Sequence, residues 1–272
     1  MLRVVVITGA GLSVDSGIRP YRGPTGIYTE MQQKYGRSPE ELVTTTALRK
    51  ETELFWGMWA SKMHMLRDAA PCAAHKALVE IEAKSNFLEV TQNVDGLSRA
   101  AGMPERALIE LHGNAHSYRC DRCGIAHSPL LQEDMGVPRC YRCGDPDHAP
   151  IRPNVVLFGE LIKSEDYKRA FIAAKAADVL ITVGTTLQFG YLTDFVHAAI
   201  GNNAVTIDID PDAVQDAYYD VTLPLTASVG LDMVNKCLTA EMTDKVEFMN
   251  NLREKWVEYE RAESGNTDSE SV

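Results

Sequence analysis

The sequence predicts an α/β fold in which a doubly wound parallel sheet carries a small inserted domain. Three observations support this prediction. Short runs rich in Val and Ile alternate with segments of helical character, which is typical of a parallel sheet buried on both faces. A glycine-rich turn follows the first run, and four cysteines are grouped in a polar segment of the chain. At 272 residues the chain is long enough for one large domain with a small insertion.

Five buried strands are predicted from the apolar runs at residues 2–8, 87–91, 154–158, 178–183 and 204–209. Between the last three runs, residues 164–177 and 191–200 have apolar side chains at helical spacing, and Ser164 is the predicted N-cap of the first helix. The second half of the chain therefore alternates strand and helix, as doubly wound sheets do.

Two segments interrupt this alternation and are assigned to the small domain. Residues 30–74 contain no convincing buried strand and predict a helical module. Residues 113–150 are too polar for a sheet core and need another means of stabilisation, and their four cysteines predict a zinc ribbon. The other assignments are residues 1–29, 75–112 and 151–240 for the large domain, 241–262 for a C-terminal helix and 263–272 for a flexible tail.

Composition argues against two classes of partner. The formal net charge of −11 opposes attraction to nucleic-acid phosphates and anionic lipids, and residues 113–150 hold four arginines against five acidic residues. The apolar run at the N-terminus ends at Thr8, which is too short for a signal peptide or a membrane span. We therefore expect no specific nucleic acid partner, no membrane association and a cytoplasmic location. The oligomeric state is not predicted.

Four cysteines form two CxxC pairs on either side of residues 124–139: Cys120 and Cys123, then Cys140 and Cys143. This spacing is typical of a four-thiolate zinc site, in which each tight turn points two sulfur atoms at one ion. The protein would supply all four ligands, so the ion would be structural and would stabilise a segment that has little core of its own. Two local disulfides or unpaired buried thiols are the alternatives.

The first predicted strand ends in a glycine-rich turn, Gly9 to Gly17, which allows backbone amides to approach a pyrophosphate. The turn departs from the dehydrogenase fingerprint because Val14 stands at the third glycine position. Hydride transfer is therefore not favoured, and a tight turn without a ligand is the alternative.

Polar clusters follow other predicted strands, at residues 91–96, 183–186 and 208–210. Because the carboxyl ends of parallel strands meet at one edge of a sheet, these clusters predict one long nucleotide cleft. His112 lies where this cleft would meet the cysteine-rich segment, and a neutral imidazole suits a general base near neutral pH. A structural role for His112 is the alternative, as turn chemistry is for any single cluster.

Taken together, these residues resemble the sirtuin family of NAD-dependent protein deacylases. The matching motifs are G-A-G-x-S-x-x-S-G-I at residues 9–18, Arg22, T-Q-N-V-D-G-L at 91–97, L-H-G at 111–113, the four cysteines, R-P-x-V-V-x-F-G-E at 152–160 and V-G-T-T-L at 183–187. They occur in the family's order over about residues 4–240, and the C-terminal helix lies outside the match.

The resemblance implies a Rossmann-like large domain, with NAD as co-substrate and an acyl-lysine protein or peptide bound in the cleft beside the small domain. It implies that His112 is the catalytic base and that Asn93 takes part in catalysis. The implied cofactor-binding residues are Gly9, Ala10, Gly11, Ser13, Gly17, Ile18, Tyr21, Arg22, Gln92, Asn93, Asp95, Gly184, Thr185, Thr186 and Asp208. The implied substrate-binding residues are Val156, Phe158, Gly159 and Glu160, in a segment that would pair as a strand with the substrate backbone. One structural zinc ion completes the implied set of cofactors.

Two departures from the family pattern bear on activity. Tyr21 puts a hydroxyl where the family usually has an apolar ring. Trp56 and Trp59 stand at the positions where members that prefer succinyl or malonyl groups carry Tyr and Arg, so we expect acidic acyl groups to be poor substrates. Packing of the helical module is the alternative role for both tryptophans.

The sequence thus predicts an NAD-dependent protein lysine deacylase that releases nicotinamide and O-acyl-ADP-ribose. One alternative is an NAD glycohydrolase or protein ADP-ribosyltransferase that uses the same cleft, and Tyr21 is the residue that leaves it open. A non-catalytic protein that responds to NAD is the other.

Overall fold

The computed structural model describes residues 1–21, 23, 26–127, 137–143 and 151–267, with 265–267 as backbone only. Arg22, implied above as a cofactor-binding residue, lies outside the described residues. So do residues 128–136 and 144–150 of the predicted zinc ribbon and residues 268–272 of the predicted tail.

The described strands, numbered in chain order, are β1 (Arg3–Thr8), β2 (Asn86–Thr91), β3 (Leu108–Glu110), β4 (Gly113–Cys120), β5 (Ala126–His127), β6 (Ile151–Val155), β7 (Val179–Val183), β8 (Val205–Ile209) and β9 (Val221–Leu223). The α-helices are α1 (Ile27–Tyr35), α2 (Pro39–Leu42), α3 (Thr45–Lys50), α4 (Thr52–Asp68), α5 (Ala73–Lys84), α6 (Leu97–Ala100), α7 (Ser164–Ala176), α8 (Gly190–Ile200), α9 (Ala227–Cys237) and α10 (Lys245–Thr267). Two 3₁₀ helices span Ala10–Ser16 and Glu105–Ala107. Every helix in the described part of the chain is too short or too polar to cross a lipid bilayer.

A six-stranded sheet has the order β3-β2-β1-β7-β8-β9, and all of its neighbouring strands are parallel. From β1 the chain adds β2 and β3 outward on one side, and it later adds β7, β8 and β9 on the other. This is the order of the dinucleotide-binding fold, whose ligands lie at the carboxyl ends of the strands where the direction reverses. The predicted doubly wound parallel sheet is confirmed, and its switch point lies between β1 and β7.

The central strand β1 is apolar because helices cover both of its faces. Val4 and Val6 belong to an apolar cluster with α5 and α9, whereas Val5 and Ile7 belong to a cluster with α7 and α8. Successive side chains of a strand point to opposite faces, so a doubly covered strand needs a continuous apolar run.

Glu89 is a buried acidic residue within β2. Its side chain is 0% exposed, and Oε1 accepts hydrogen bonds from the hydroxyl groups of Thr8 at 2.9 Å and Ser98 at 2.8 Å. Burial raises the pKa of Glu89 to about 7, against an ordinary value of 4.5. The folded protein therefore keeps this proton over a pH range in which the unfolded chain releases it.

Replacing Glu89 by Gln is expected to remove a pH dependence of stability. As pH rises from 4.5 to about 7, only the unfolded wild-type chain ionises at this position, so wild type loses stability relative to the variant. The difference between their free energies of unfolding should change by about 3 kcal/mol across this window. Urea denaturation of both proteins at several pH values measures it, and parallel curves would contradict the expectation.

A second sheet is antiparallel, with the order β5-β4-β6. The predicted parallel strand at 154–158 is therefore wrong. The strand in this region is β6, in which Val155 pairs with Gly113 of β4. Ile151 and Val155 are buried in an apolar cluster with α3 and α4, the small-sheet cluster. Residues 151–155 therefore lie in the small sheet rather than in the large domain predicted for 151–240.

Trp56 and Trp59 both pack within the small-sheet cluster. Trp59 stacks on Phe55 with ring centroids 6.3 Å apart, and Trp56 stacks on Tyr118 of β4 at 6.1 Å. These contacts favour the packing role over a role in selecting the acyl group.

Two helix limits differ from those predicted. Helix α7 begins at Ser164 itself, with Lys163 as its N-cap. Helix α10 covers Lys245–Thr267 instead of 241–262, so it includes part of the predicted tail. The Asp244 carboxylate accepts a hydrogen bond from the backbone of Val246 at the helix start, and no proline interrupts residues 263–267.

Candidate active site

The glycine-rich turn lies at the switch point between β1 and β7. The N–H of Gly9 donates to the carbonyl of Val183, and the N–H of Gly11 donates to that of Gly184, both at 3.0 Å. A Cβ on Gly11 would lie 2.4 Å from the Cα of Gly184, whose own φ is +58°. Only glycines allow the two loops to approach this closely, so main chain rather than side chain occupies the switch point.

The amide side chains after β2 connect this turn to the loop after β7. Asn93 Nδ2 donates to the carbonyl of Gly9 at 2.9 Å, and Gln92 Nε2 donates to Oγ1 of Thr185 at 2.8 Å. The ends of three neighbouring strands are thus joined by residues that the sequence places in one cleft.

Ser13 and Asp95 form a buried pair beside the glycine-rich turn. Ser13 Oγ donates to Asp95 Oδ2 at 2.8 Å and lies 3.5 Å from Nε2 of His75. The other carboxylate oxygen of Asp95 accepts the N–H of Leu97 at 2.9 Å. Ser13 is 1% and Asp95 8% exposed, so the carboxylate is held in one orientation.

The other implied cofactor-binding residues have different settings. Gly17 ends the 3₁₀ helix with φ +82°, and Ile18 is buried in the small-sheet cluster. Tyr21 is partly buried, whereas Thr186 is exposed. Asp208 lies within β8 rather than after it, and its carboxylate accepts a hydrogen bond from Thr182 Oγ1 at 2.6 Å. Burial raises the pKa of Asp208 despite this bond.

His112 is fixed at both ring nitrogens. Nδ1 lies 2.9 Å from the carbonyl of Gln92, and Nε2 lies 2.5 Å from the hydroxyl of Tyr191. Since a carbonyl only accepts, Nδ1 carries a proton. Burial lowers the pKa of His112; the Gln92 carbonyl opposes this effect and the charge of Lys62 adds to it. The side chain is therefore a neutral imidazole near pH 7, with its lone pair on Nε2.

The sequence analysis missed Lys62, which lies on α4 one turn after Trp59. Its ammonium group lies 5.4 Å from the centre of the Trp59 ring. Burial lowers the pKa of Lys62, whereas the charge of Asp95 raises it. The charge of Lys62 thus interacts electrostatically with both His112 and Asp95, although Lys62 belongs to the helical module. The spacing of three residues from Trp59 could have indicated it.

Replacing Lys62 by Met is expected to raise the pKa of His112, because a nearby positive charge disfavours the protonated imidazole. The pKa should stay below its ordinary value, since burial remains. An NMR titration of the His112 ring measures the change. Lys34→Met is a matched control because Lys34 also lies over an aromatic ring, that of Tyr35 on α1. An unchanged His112 titration in Lys62→Met would contradict the expectation.

The implied substrate-binding segment follows β6. The N–H of Val156 donates to the carbonyl of His112 at 2.8 Å, and the N–H of Phe158 donates to that of Val43 at 2.9 Å. These two donors are therefore not free to pair with a substrate backbone in this conformation. Gly159 is exposed, and an open groove of about 600 Å³ is lined by Phe158 and Gly159 on one side and by residues between 37 and 51 on the other.

Glu160 points into the protein instead. It pairs with Arg152, which is 1% exposed, through contacts of 2.5 and 2.6 Å, and it accepts the N–H of Leu157 at 2.9 Å. Burial opposes ionisation of Glu160, but the hydrogen bonds from Arg152 hold its pKa at about 2. Arg152 also lies 3.5 Å from Asp121, so it links the 156–160 segment to the first CxxC turn.

The four predicted zinc ligands lie together. Their sulfur atoms are all within 4.8 Å of one another, with 3.6 Å between Cys120 and Cys143 and 3.9 Å between Cys123 and Cys140. Zn–S bonds of about 2.3 Å in a tetrahedron place sulfur atoms about 3.8 Å apart, so the set fits a zinc ion. All four are free thiols, which rules out the disulfide alternative in this structure.

Comparisons with known proteins agree with this geometry. The Sir2 family sequence model matches residues 9–190. A protein of Aquifex aeolicus (strain VF5) named NAD-dependent protein deacylase is 34% identical over 236 residues, which cover 86% of this chain and 94% of the relative.

Two solved structures are similar over most of their length. A Sir2 homologue in complex with NAD has a TM-score of 0.74 and 28% identity, with 93% of this chain and 90% of the other covered. A Sir2 protein with a deacetylated p53 peptide and 3′-O-acetyl ADP-ribose has a TM-score of 0.73 and 26% identity, with 86% and 92% covered. On the extent of these matches, the chain belongs to the Sir2 family.

Proposed function

We propose that this protein is an NAD-dependent protein lysine deacylase that releases nicotinamide and O-acyl-ADP-ribose. The observation that carries the proposal is the neutral imidazole of His112, held by Gln92 at the strand ends where the glycine-rich turn and the buried Asp95 also lie. A family member with deacetylated peptide and acetyl ADP-ribose in one structure supports the reaction class.

The residues present fit NAD. The glycine-rich turn offers main chain with no Cβ at Gly9 and Gly11, and the strand ends offer Gln92 and Asn93 amides and the Asp95 carboxylate. Bound NAD would supply the ADP-ribose unit that accepts the acyl group. We assign the pyrophosphate to the glycine-rich turn, the nicotinamide side to Asp95 and the adenosine side to Gly184, Thr185 and Asp208.

His112 would act by accepting a proton at Nε2. The carbonyl of Gln92 holds Nδ1–H in place, so the ring keeps the tautomer in which Nε2 is basic. Burial favours the neutral imidazole, so His112 can still accept a proton at pH values below the ordinary pKa of histidine. Asn93 would orient the reacting group through its amide, and the groove along Phe158 and Gly159 would take the acyl-lysine peptide.

The expectation that acidic acyl groups are poor substrates rested on two uncharged tryptophans. Lys62 places a positive charge beside Trp59, which removes that argument. We therefore propose acetyl-lysine as a substrate and leave the order of acyl groups to a direct comparison of acetyl and succinyl peptides.

We also propose a cytoplasmic location. All six cysteines are free thiols, which is the usual state of cysteines in the reducing cytosol.

The test incubates the protein with NAD and an acetyl-lysine peptide, follows the peptide by mass spectrometry and measures nicotinamide with and without peptide. Loss of the acetyl group, with nicotinamide formed only when peptide is present, is the expected result. Nicotinamide release without peptide would favour NAD hydrolysis or ADP-ribosyl transfer instead. An intact peptide and no nicotinamide would refute catalysis of either kind.

A further inference from the structure

The reactive nitrogen of His112 is already in contact with a second functional group. The hydroxyl of Tyr191 lies 2.5 Å from Nε2, and Tyr191 is the second residue of α8, which follows the loop after β7. The roles proposed for His112, Asn93 and Asp95 do not involve this phenol.

The direction of this hydrogen bond follows from the protons on the ring. Nδ1 donates to the carbonyl of Gln92, so a neutral His112 has its lone pair on Nε2. The phenol O–H of Tyr191 therefore donates to Nε2. A single lone pair accepts one donor well, so any group that is to give a proton to His112 meets the phenol first.

Aromatic packing holds the phenol in this place. The Tyr191 ring stacks on Phe189, with centroids 5.7 Å apart and an interplanar angle of 12°. It also contacts Phe195, which is 0% exposed, at 6.2 Å. Rotation of Tyr191 away from His112 would give up both contacts, which favours a phenol that stays in place during turnover.

We propose that Tyr191 is a catalytic residue that relays a proton to His112. The proposal rests on the deacylase function proposed above. As the hydroxyl group to be activated gives its proton to the phenol oxygen, the phenol gives its own proton to Nε2. One O–H bond of Tyr191 forms while the other breaks, so the phenol ends unchanged and His112 becomes protonated. Burial raises the pKa of Tyr191, so the two transfers are concerted and no phenolate accumulates.

Tyr191→Phe tests the relay because it keeps the ring and removes only the hydroxyl. We expect kcat for deacetylation to fall at least ~100-fold, which is the lower end of the contribution of general acid–base groups. KM for NAD and for the peptide should change less than about twofold, because the ring contacts remain. Tyr167→Phe is the matched control, since Tyr167 lies 5.3 Å from the same Phe195 ring and has no contact with His112 among those described.

A second readout uses the free protein. The ¹⁵N resonance of His112 Nε2 should move in Tyr191→Phe and stay in place in Tyr167→Phe, whereas Nδ1 should be unaffected in both. An unchanged Nε2 resonance, or a Tyr191→Phe variant with wild-type or higher kcat, would overturn the relay while leaving the deacylase proposal intact. A wild-type protein that does not deacylate the peptide would refute the proposed function, and the relay with it.

Discussion

Replacing His112 by Gln is expected to lower kcat for deacetylation by ~10²–10⁴, the range by which a positioned acid–base group accelerates proton transfer. Gln cannot accept a proton at the position of Nε2, although its amide can still approach the Gln92 carbonyl. NAD binding should persist, because the glycine-rich turn, Asn93 and Asp95 do not depend on this ring. Steady-state kinetics and the rise of Tm on addition of NAD measure the two effects separately.

His197→Gln is the matched control, since His197 lies on α8 and contacts Tyr218 instead of the site. Turnover by wild type should also fall on acidification, because only neutral His112 accepts a proton. Burial lowers the pKa of His112 from 6.5, so this loss should occur below pH 6.5. Full activity of His112→Gln, or an acid limb above pH 6.5, would contradict the assignment of the base.

Replacing Cys140 by Ser is expected to abolish zinc binding and unfold the segment around β4 and β5. Structural zinc contributes ~10–16 kcal/mol of apparent binding free energy at neutral pH, which is comparable to the whole stability of an ordinary domain. Cys140 is 5% exposed and belongs to the small-sheet cluster, so unfolding of this segment should also disturb the packing of α3 and α4. Elemental analysis for zinc and thermal unfolding measure the effect.

This loss should reach the substrate segment through a chain of charges. Asp121 lies in the first CxxC turn, 2.8 Å from Arg49 and 3.5 Å from Arg152, and Arg152 in turn holds Glu160. We therefore expect peptide turnover to fall more than NAD binding does. The Cys72→Ser variant should keep its zinc, because Cys72 lies outside the four-cysteine cluster. A Cys140→Ser protein that still holds one zinc ion per chain would refute the four-thiolate site.

The sequence was a reliable guide wherever a local pattern carries the chemistry. The doubly covered strands β1 and β7 are largely apolar runs, and the spacing of the two CxxC turns predicts which four residues would hold a metal. The apolar run at 154–158 was assigned to the wrong sheet, because a short apolar run does not indicate which of two sheets its strand joins. Strands β3 and β9 were missed because three residues are too few to show a period.

Local patterns in the sequence thus predict the fold class, the order of the strand-end motifs and the four cysteines of the metal site. The side chains that surround His112 are instead set by the packing of distant helices. Tyr191 is 79 residues away from His112 along the chain, and Lys62 lies on α4, which packs in the small-sheet cluster. Their approach depends on how α8 and α4 pack against the sheet, and no local periodicity records the distance between two helices. The ionisation and the hydrogen bonds of His112 therefore become visible only when the helices are in place.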